Sequence, residues 1–237
     1  MSDELNDTME TASENTDSAT EEPVIENSNY SDVDPGGGGT DDNLRNFGGA
    51  IAVCALLALF GGQTFAWWGI EMSYDTFLGK MELKGDFGTN EFYAEAGDIS
   101  NGTAYDDDGV GFDKVDSFFS TLKIMLYGLV ICGAGLAYMG HSGEKTEWSA
   151  KVIAVAALLS VIIMLYVFFS LPNAYDDDTK FFDDNGDDPA YFYENDEEEG
   201  LEVKTTFGLG MLLPLVSLGI CGYMVKDRGI TLEDITG

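Results

Sequence analysis

Basic residues and histidine are scarce in this 237-residue chain, and their scarcity excludes whole classes of function. Only 11 Lys and Arg residues stand against 43 Asp and Glu residues, a formal net charge of -32. Because nucleic-acid phosphates need Lys and Arg partners, the charge excludes nucleic acid as a partner. The single histidine, His141, has no second histidine with which to build a zinc site or a general base. The sequence therefore predicts no catalytic residues and no enzyme.

Cysteine is equally scarce, and its positions exclude a disulfide framework. The three cysteines, Cys54, Cys132 and Cys221, all fall inside apolar blocks and none lies in a polar connector. Buried thiols of this kind usually behave as small hydrophobic side chains. We therefore expect no disulfide bond.

The first 44 residues are acidic and contain neither lysine nor arginine. Such a segment buries too little apolar surface to offset the entropy of ordering it, so residues 1–44 are predicted to be a disordered acidic tail. It also lacks the basic region and short apolar core of a cleavable signal peptide. The first apolar block is therefore interpreted as an uncleaved signal anchor.

Four long apolar blocks follow, each long enough to cross the roughly 30 Å hydrocarbon core of a bilayer as a helix. They are residues 47–70, 118–140, 150–171 and 206–225. Pro214 lies at the centre of the fourth block, where its missing backbone donor predicts a kink. The predicted fold is a membrane all-α bundle of four transmembrane helices over residues 45–228, followed by a short tail, 229–237.

The lysine and arginine residues suggest an orientation. Four spans put both termini on the same side of the membrane. On that side, positive residues crowd into the short connector between the second and third spans and into the flanks of spans one and four. The positive-inside rule has most force in such short segments. We therefore expect a multi-pass cell-membrane protein with cytoplasmic termini.

Two acidic outer loops, residues 71–117 and 172–205, remain. In the first, residues 76–84 alternate, residues 85–88 have turn chemistry, and a second strand-like run follows, which predicts a small extracellular β-hairpin or sheet. The same loop contains an Asn-Gly-Thr glycosylation sequon at Asn101.

This layout resembles the claudin and peripheral-myelin-protein class of tetraspan proteins. The likeness covers residues 47–226 and consists of four spans, cytoplasmic termini, a short inner loop, a long first outer loop with strand character and a shorter second one. The signature of the class, a Trp followed by Gly-Leu-Trp and two cysteines, is absent, and Trp67 and Trp68 are its nearest aromatic match. The resemblance implies architecture more than function.

The second outer loop contains a calcium-like spacing. Asp183, Asn185, Asp187 and Glu194 occupy positions 1, 3, 5 and 12 of an EF-hand loop, although position 6, which requires glycine, is Asp188. Calcium is the one cofactor that the sequence suggests. The alternative is a solvated acidic loop that attracts only diffuse cations.

Lys123 is the charged residue inside the second block, roughly 8 Å from its outer end at helical rise. Gln63 lies at a similar predicted depth, and Glu71 lies just outside the first block. A contact from Lys123 to either residue would make an intramembrane polar site, which is a functional hypothesis by default. The alternative is that Lys123 extends its ammonium group to the interface.

Small residues also recur along the spans. Small side chains let helix backbones approach closely inside a membrane, so they predict packing within the bundle. They are Gly128, Cys132, Gly135, Ala150, Ala154, Ala157, Gly208, Ser217 and Gly222.

Three functions are compatible with these features. The first is a non-enzymatic tetraspan in the lipid bilayer, a structural or protein-interaction component whose outer loops contact other membrane or envelope proteins. The second is an auxiliary subunit of a channel or transporter, based on Lys123, Gln63 and an acidic vestibule. The third is a cation-responsive surface module built on residues 183–194. A packed or a wet bundle centre would separate the first two, and the oligomeric state stays open.

Overall fold

A computed structural model describes most of the chain from residue 40 onward, and all of the described residues belong to one compact unit. The described ranges are 40–77, 79–97, 99–105, 111–143, 148–179, 195–198 and 201–236. Within them, four helices are long and apolar enough to cross a membrane, and six strands form one sheet. Most of the predicted acidic tail and the whole predicted calcium loop lie outside the described residues.

Helices and strands alternate in blocks along the chain. In chain order the elements are α1 (Asp42–Phe60), β1 (Trp68–Thr76), β2 (Gly79–Phe87), β3 (Glu91–Ala96), β4 (Ile99–Ala104), α2 (Asp113–Ser142), α3 (Trp148–Thr179), β5 (Asn195–Glu198), β6 (Leu201–Phe207), α4 (Leu212–Asp227) and α5 (Leu232–Thr236). Short 3₁₀ helices precede β1 and α4, at Gly62–Phe65 and Leu209–Met211.

The four long helices enclose an apolar centre, in which α1 and α3 each contact both α2 and α4. Its side chains are buried completely or almost completely; they include Ile51, Leu122, Leu126, Leu129, Leu136, Ile153, Ile163 and Val167. Among the described residues of these helices, the buried polar side chains are Ser160 and Ser217. Each donates to a carbonyl of its own helix, Ala156 O at 2.8 Å and Leu213 O at 3.0 Å. The centre is therefore packed.

The first helix differs from the predicted span 47–70. It begins at Asp42, inside the segment predicted as tail, and ends at Phe60. Two glycines follow, and Gly62 has a φ of 59°, a conformation that glycine adopts readily. The apolar run beyond it belongs to β1, whose first residue Trp68 is buried against the bundle. Hydropathy alone could not separate a buried strand from the end of a span.

The other spans also differ from their predicted bounds. Helices α2 and α3 extend past 118–140 and 150–171 at both ends, and α3 continues through Pro172. The predicted kink at Pro214 is wrong, because α4 begins at Leu212 and places this proline in its first turn. Backbone donors in the first turn have no acceptor within the helix, so proline removes no hydrogen bond there.

The sheet lies at the end of the bundle where α1 finishes and α2 begins, and is larger than predicted. Its strand order is β4-β3-β2-β1-β6-β5, with every neighbouring pair antiparallel. Strands β5 and β6 come from the segment 172–205, so both predicted outer loops contribute to one sheet. The predicted turn at 85–88 is wrong: β2 continues to Phe87, and β3 begins at Glu91.

The connector from α1 to β1 crosses the connector from β6 to α4. The backbone N–H of Gly208, after β6, donates to Trp67 O at 3.1 Å, and that of Gly210 donates to Ala66 O at 2.8 Å. A side chain at Gly208 would overlap the Ala66 carbonyl, so glycine is required at this crossing. Gly208 thus serves the connector rather than the predicted fourth span.

The backbones of helices α1 and α2 approach each other closely at glycine residues. A Cβ atom added to Gly133 would lie 2.6 Å from the backbone nitrogen of Ala52, and one added to Gly48 would lie 2.5 Å from that of Ala137. Gly135, one of the predicted packing residues, would meet nothing within 4 Å. The closest α1–α2 contacts are therefore made by glycines other than those predicted.

We expect Gly133→Ala to destabilise the bundle by about 1–3 kcal/mol, because its methyl group would collide with the backbone of α1. Gly135→Ala, two positions away on the same helix, should be neutral or slightly stabilising, since alanine favours a helix and has open space there. Thermal unfolding of the two variants in detergent, followed by circular dichroism, measures the difference. Equal midpoints would contradict the close approach.

Candidate functional site

The sheet has two chemically opposite faces. Along β1, Ile70, Met72 and Tyr74 alternate with Glu71 and Ser73. Residues directly opposite each other on antiparallel strands lie on the same face. The pairing register therefore gives one apolar face and one charged face across β1, β2 and β6.

On the charged face, acidic and basic side chains pair. Lys84 lies 3.0 Å from Glu71, and Lys80 lies 3.5 Å from Glu202. Glu202 also accepts hydrogen bonds from Lys204 and from Ser73. The Lys204 and Ser73 hydrogen bonds lower the pKa of Glu202, and the Glu71 hydrogen bond and charge raise the pKa of Lys84.

These ion pairs are partly exposed, so each contributes little to stability. The shallow cavity between them, of about 160 Å³, is lined by both signs of charge. Among the described residues, no three His, Cys, Asp or Glu side chains come together as a metal site. Lys80, Lys84 and Lys204 on this face are thus all paired, and acidic residues outnumber them there.

The structure does not bring the predicted intramembrane polar residues together. Gln63 lies in the 3₁₀ helix beyond α1 and donates to Asp86 at 3.1 Å, and Glu71 lies on β1 beside Lys84. Lys123 is half-buried on α2, and within the described residues it pairs with neither. The predicted contacts fail because α1 ends before Gln63.

The remaining predicted site residues are the calcium candidates and the glycosylation candidate. Asp183, Asn185, Asp187 and Glu194 lie outside the described residues. Asn101 is exposed on β4.

The remaining scarce residues lie away from the sheet. The three cysteines are free thiols. His141 is exposed in the last turn of α2.

An aromatic cluster, defined as Trp68, Phe87, Phe92, Phe112 and Tyr175, joins the apolar face to the helices. Tyr175 extends from α3 beyond Pro172, and its ring lies 5.3 Å from that of Trp68 and 5.5 Å from that of Phe87. The Phe92 and Phe112 rings are 5.3 Å apart. Edge-to-face pairs of this kind add about 0.5–1.5 kcal/mol each beyond area burial.

The turn between β2 and β3 closes the end of α1. The Trp67 indole donates to the hydroxyl of Thr89 at 2.8 Å, and this hydroxyl donates to Ala58 O at 2.5 Å. The Asn90 amide donates to Leu59 O at 2.7 Å. The last carbonyls of a helix lack donors within the helix, and this turn supplies donors for two of them. The sequence did not predict this role of the turn, because hydropathy does not indicate which turn meets which helix end.

Tyr105, which follows β4, holds the same turn against α2. Its hydroxyl lies 2.8 Å from Gly88 O and 3.1 Å from Glu91 O, and its ring stacks on Phe119 at 5.1 Å. Burial raises the pKa of Tyr105 well above its usual value, so the phenol remains a donor at physiological pH. The turn is thus fixed from both sides.

A carboxylate from α3 caps α2. Asp178 accepts from the backbone N–H groups of Lys114 at 2.9 Å and Val115 at 2.9 Å. An anion at a helix N-terminus satisfies free donors and complements the helix dipole. The sheet ends of α2 and α3 are therefore tied together.

Beyond the aromatic cluster, the β1–β2 hairpin leaves apolar side chains exposed. Tyr74 is 52% exposed, Phe77 96% and Met81 56%. These three residues are called the hairpin patch. Contiguous exposed apolar surface of this kind typically marks an interaction site. The alternation in residues 76–84 predicted a strand, but the sequence did not show that no described residue would cover its apolar side.

Comparisons with protein-family models and with curated proteins gave no match. The arrangement of these faces and patches is therefore the basis for a functional argument.

We expect Thr89→Val to destabilise the protein by about 1–3 kcal/mol, because the isosteric change leaves the Trp67 indole N–H and the Ala58 carbonyl buried without partners. Thr103→Val on β4 is the matched control, since the Thr103 hydroxyl has no hydrogen-bond partner among the described residues. Thermal unfolding combined with Trp fluorescence reports both changes. A loss of equal size in the two variants would contradict the capping role.

Proposed function

We propose that this chain is a non-enzymatic membrane protein that binds other membrane or envelope proteins through its sheet. The hairpin patch carries this proposal. It places three large apolar side chains in the open on a hairpin whose other face is charged. An isolated soluble surface rarely leaves such a patch uncovered.

The exposed aromatic residues support a membrane location with the sheet outside it. At the end of the bundle opposite the sheet, Tyr138 on α2, Trp148 on α3 and Tyr223 on α4 are half or more exposed. Tyrosine and tryptophan concentrate at membrane interfaces. In this proposal, that end faces the cytoplasm and the sheet faces outward. The claudin class remains a comparison of layout, with a sheet carried by four helices.

The packed centre favours interaction over transport. Ser160 and Ser217 bond within their own helices, and the remaining buried side chains of the described helices are apolar. A pathway for ions would need polar groups or water along its length. Lys123 has no described polar partner that could continue such a pathway inward.

The proposal is tested by placing a photoreactive amino acid, p-benzoylphenylalanine, at Met81 in the full-length chain in its native membrane. The matched control carries the same group at Glu82, which is adjacent on β2 but lies on the charged face. We expect a discrete adduct with another membrane or envelope protein from position 81 and none from position 82. Adding Tyr74→Lys to the position-81 protein should lower the yield about tenfold, corresponding to about 1.4 kcal/mol of lost contact.

Equal adducts from both positions, or an uncrosslinked monomer from both, would contradict the proposal. An adduct that survives Tyr74→Lys unchanged would show that the hairpin patch is not the contact surface. Retention of the circular dichroism spectrum and of a monodisperse elution peak establishes that each variant is folded.

A further inference from the structure

Part of the apolar face of the sheet is a groove that runs across the strands. The pairing register arranges its side chains in rows. The row nearest the helices contains the rings of Trp68, Phe87 and Phe92. The next row is small, with Gly85 and Ala94 in the middle of the sheet, and the third is aliphatic. The third row consists of Met72, Leu83, Ala96 and Ile99.

The small residues of the middle row create the space. Ala94 and Ala96 on β3 are exposed although they lie on the apolar face. Gly85 has no side chain, and the Phe92 ring lies over its backbone. A Cβ atom added to Gly85 would be 2.8 Å from that ring. Phe112 and Tyr175, from the ends of α2 and α3, close the groove on the side of the bundle.

The resulting cavity has a volume of about 360 Å³ and a largely apolar lining. Ligand pockets in proteins typically measure about 300–1,000 Å³ and are mostly apolar, with a few polar groups that fix orientation. From β1 to β4 the strand spacing gives a length of roughly 14 Å. The size is that of a ligand site rather than of a packing defect.

The chemistry of the lining selects the occupant. The backbone groups of β2 and β3 are committed to the ladders on either side, so the floor offers no hydrogen bonds to a peptide. A peptide laid there would lose its bonds to water without replacement, at a cost in free energy. The charged ends of Lys84 and Glu95 are at positions of the opposite face. Asn101, at the β4 end of the small row, is a polar side chain on the groove side.

We propose that this groove binds the acyl chain of a lipid drawn from the bilayer, with the Asn101 amide hydrogen-bonded to the ester group of that lipid. A hydrocarbon chain needs no hydrogen-bond partner and gains free energy from each buried methylene. Phe112 and Tyr175 lie at the ends of α2 and α3, two helices long and apolar enough to cross a membrane, so the nearest source of acyl chains is the bilayer that would surround those helices. The site adjoins the hairpin patch but shares no residue with it, and it does not depend on the proposed function.

The test uses the full chain in phosphatidylcholine nanodiscs that contain a trace of phosphatidylcholine with a diazirine in one acyl chain. After illumination, mass spectrometry maps the labelled peptides. We expect labelling of the groove on β3 and around Phe112, together with labelling of Ile124 and Ile131 on α2. These two isoleucines are 73% and 71% exposed and serve as the internal reference for lipid contact.

Ala94→Trp should fill the groove and lower its labelling about tenfold relative to the α2 reference, because a few buried methylene groups account for a factor of that size. Glu82→Trp adds a similar bulk on the charged face and should change nothing. Asn101→Leu should keep chain labelling but shift it along the groove, since the ester is no longer held.

Labelling of α2 without labelling of the groove in the wild-type protein would overturn the proposal, and this result does not depend on any variant folding. Equal loss in Ala94→Trp and Glu82→Trp would also overturn it. Groove labelling by a diazirine fatty acid added in detergent, but not by the nanodisc lipid, would exclude the bilayer as the source. Persistence of the Met81 adduct in Ala94→Trp keeps this outcome distinct from that of the interaction test.

Discussion

The rest of the structure depends on how the carbonyl end of α1 is satisfied. A helix that leaves an apolar environment exposes carbonyls that need donors, and here Thr89 and Asn90 supply them from a turn between two strands. That requirement fixes the β2–β3 turn on the bundle. The buried indole of Trp67 then holds the Thr89 hydroxyl in place. Because the strands are joined by backbone hydrogen bonds, fixing this turn also fixes the strands paired with β2 and β3. The sheet is therefore part of the bundle rather than a separate module beside it.

Two kinds of apolar surface result, with different roles. In the aromatic cluster, Trp68 and Phe87 are buried and join the sheet to the helices, whereas the hairpin patch and the groove remain open. On the charged face, Lys84 pairs with Glu71 and Lys204 pairs with Glu202. Since these partly exposed ion pairs contribute little free energy, the open apolar surfaces carry the larger gain in free energy on binding. In the proposed function, contact with partners therefore falls on the apolar side of the sheet.

The sequence predicted the features that depend on hydropathy over many residues. It missed those that depend on contacts between distant parts of the chain. Four helices long and apolar enough to cross a membrane, and strand character in the first loop, follow from hydropathy and alternation. The end of α1 was misplaced because Trp68 and Ile70, buried on a strand, are as apolar as lipid-facing residues. The contribution of β6 and the capping by Asp178 could not be predicted, since both join residues far apart in the chain. Pro214 was misread because its effect depends on its distance from the helix start.

The crossing of the two connectors has a mechanical consequence. The N–H groups of Gly208 and Gly210 donate to carbonyls of the strand that leaves α1, so α1 and α4 meet the sheet at one hydrogen-bonded point. Strand β1 begins directly after this point, so the β1–β2 hairpin is anchored where two helices meet. The tight fit at Gly208 leaves no room for a side chain that would separate the connectors. Movement at the base of the hairpin would therefore have to be shared with the ends of both helices.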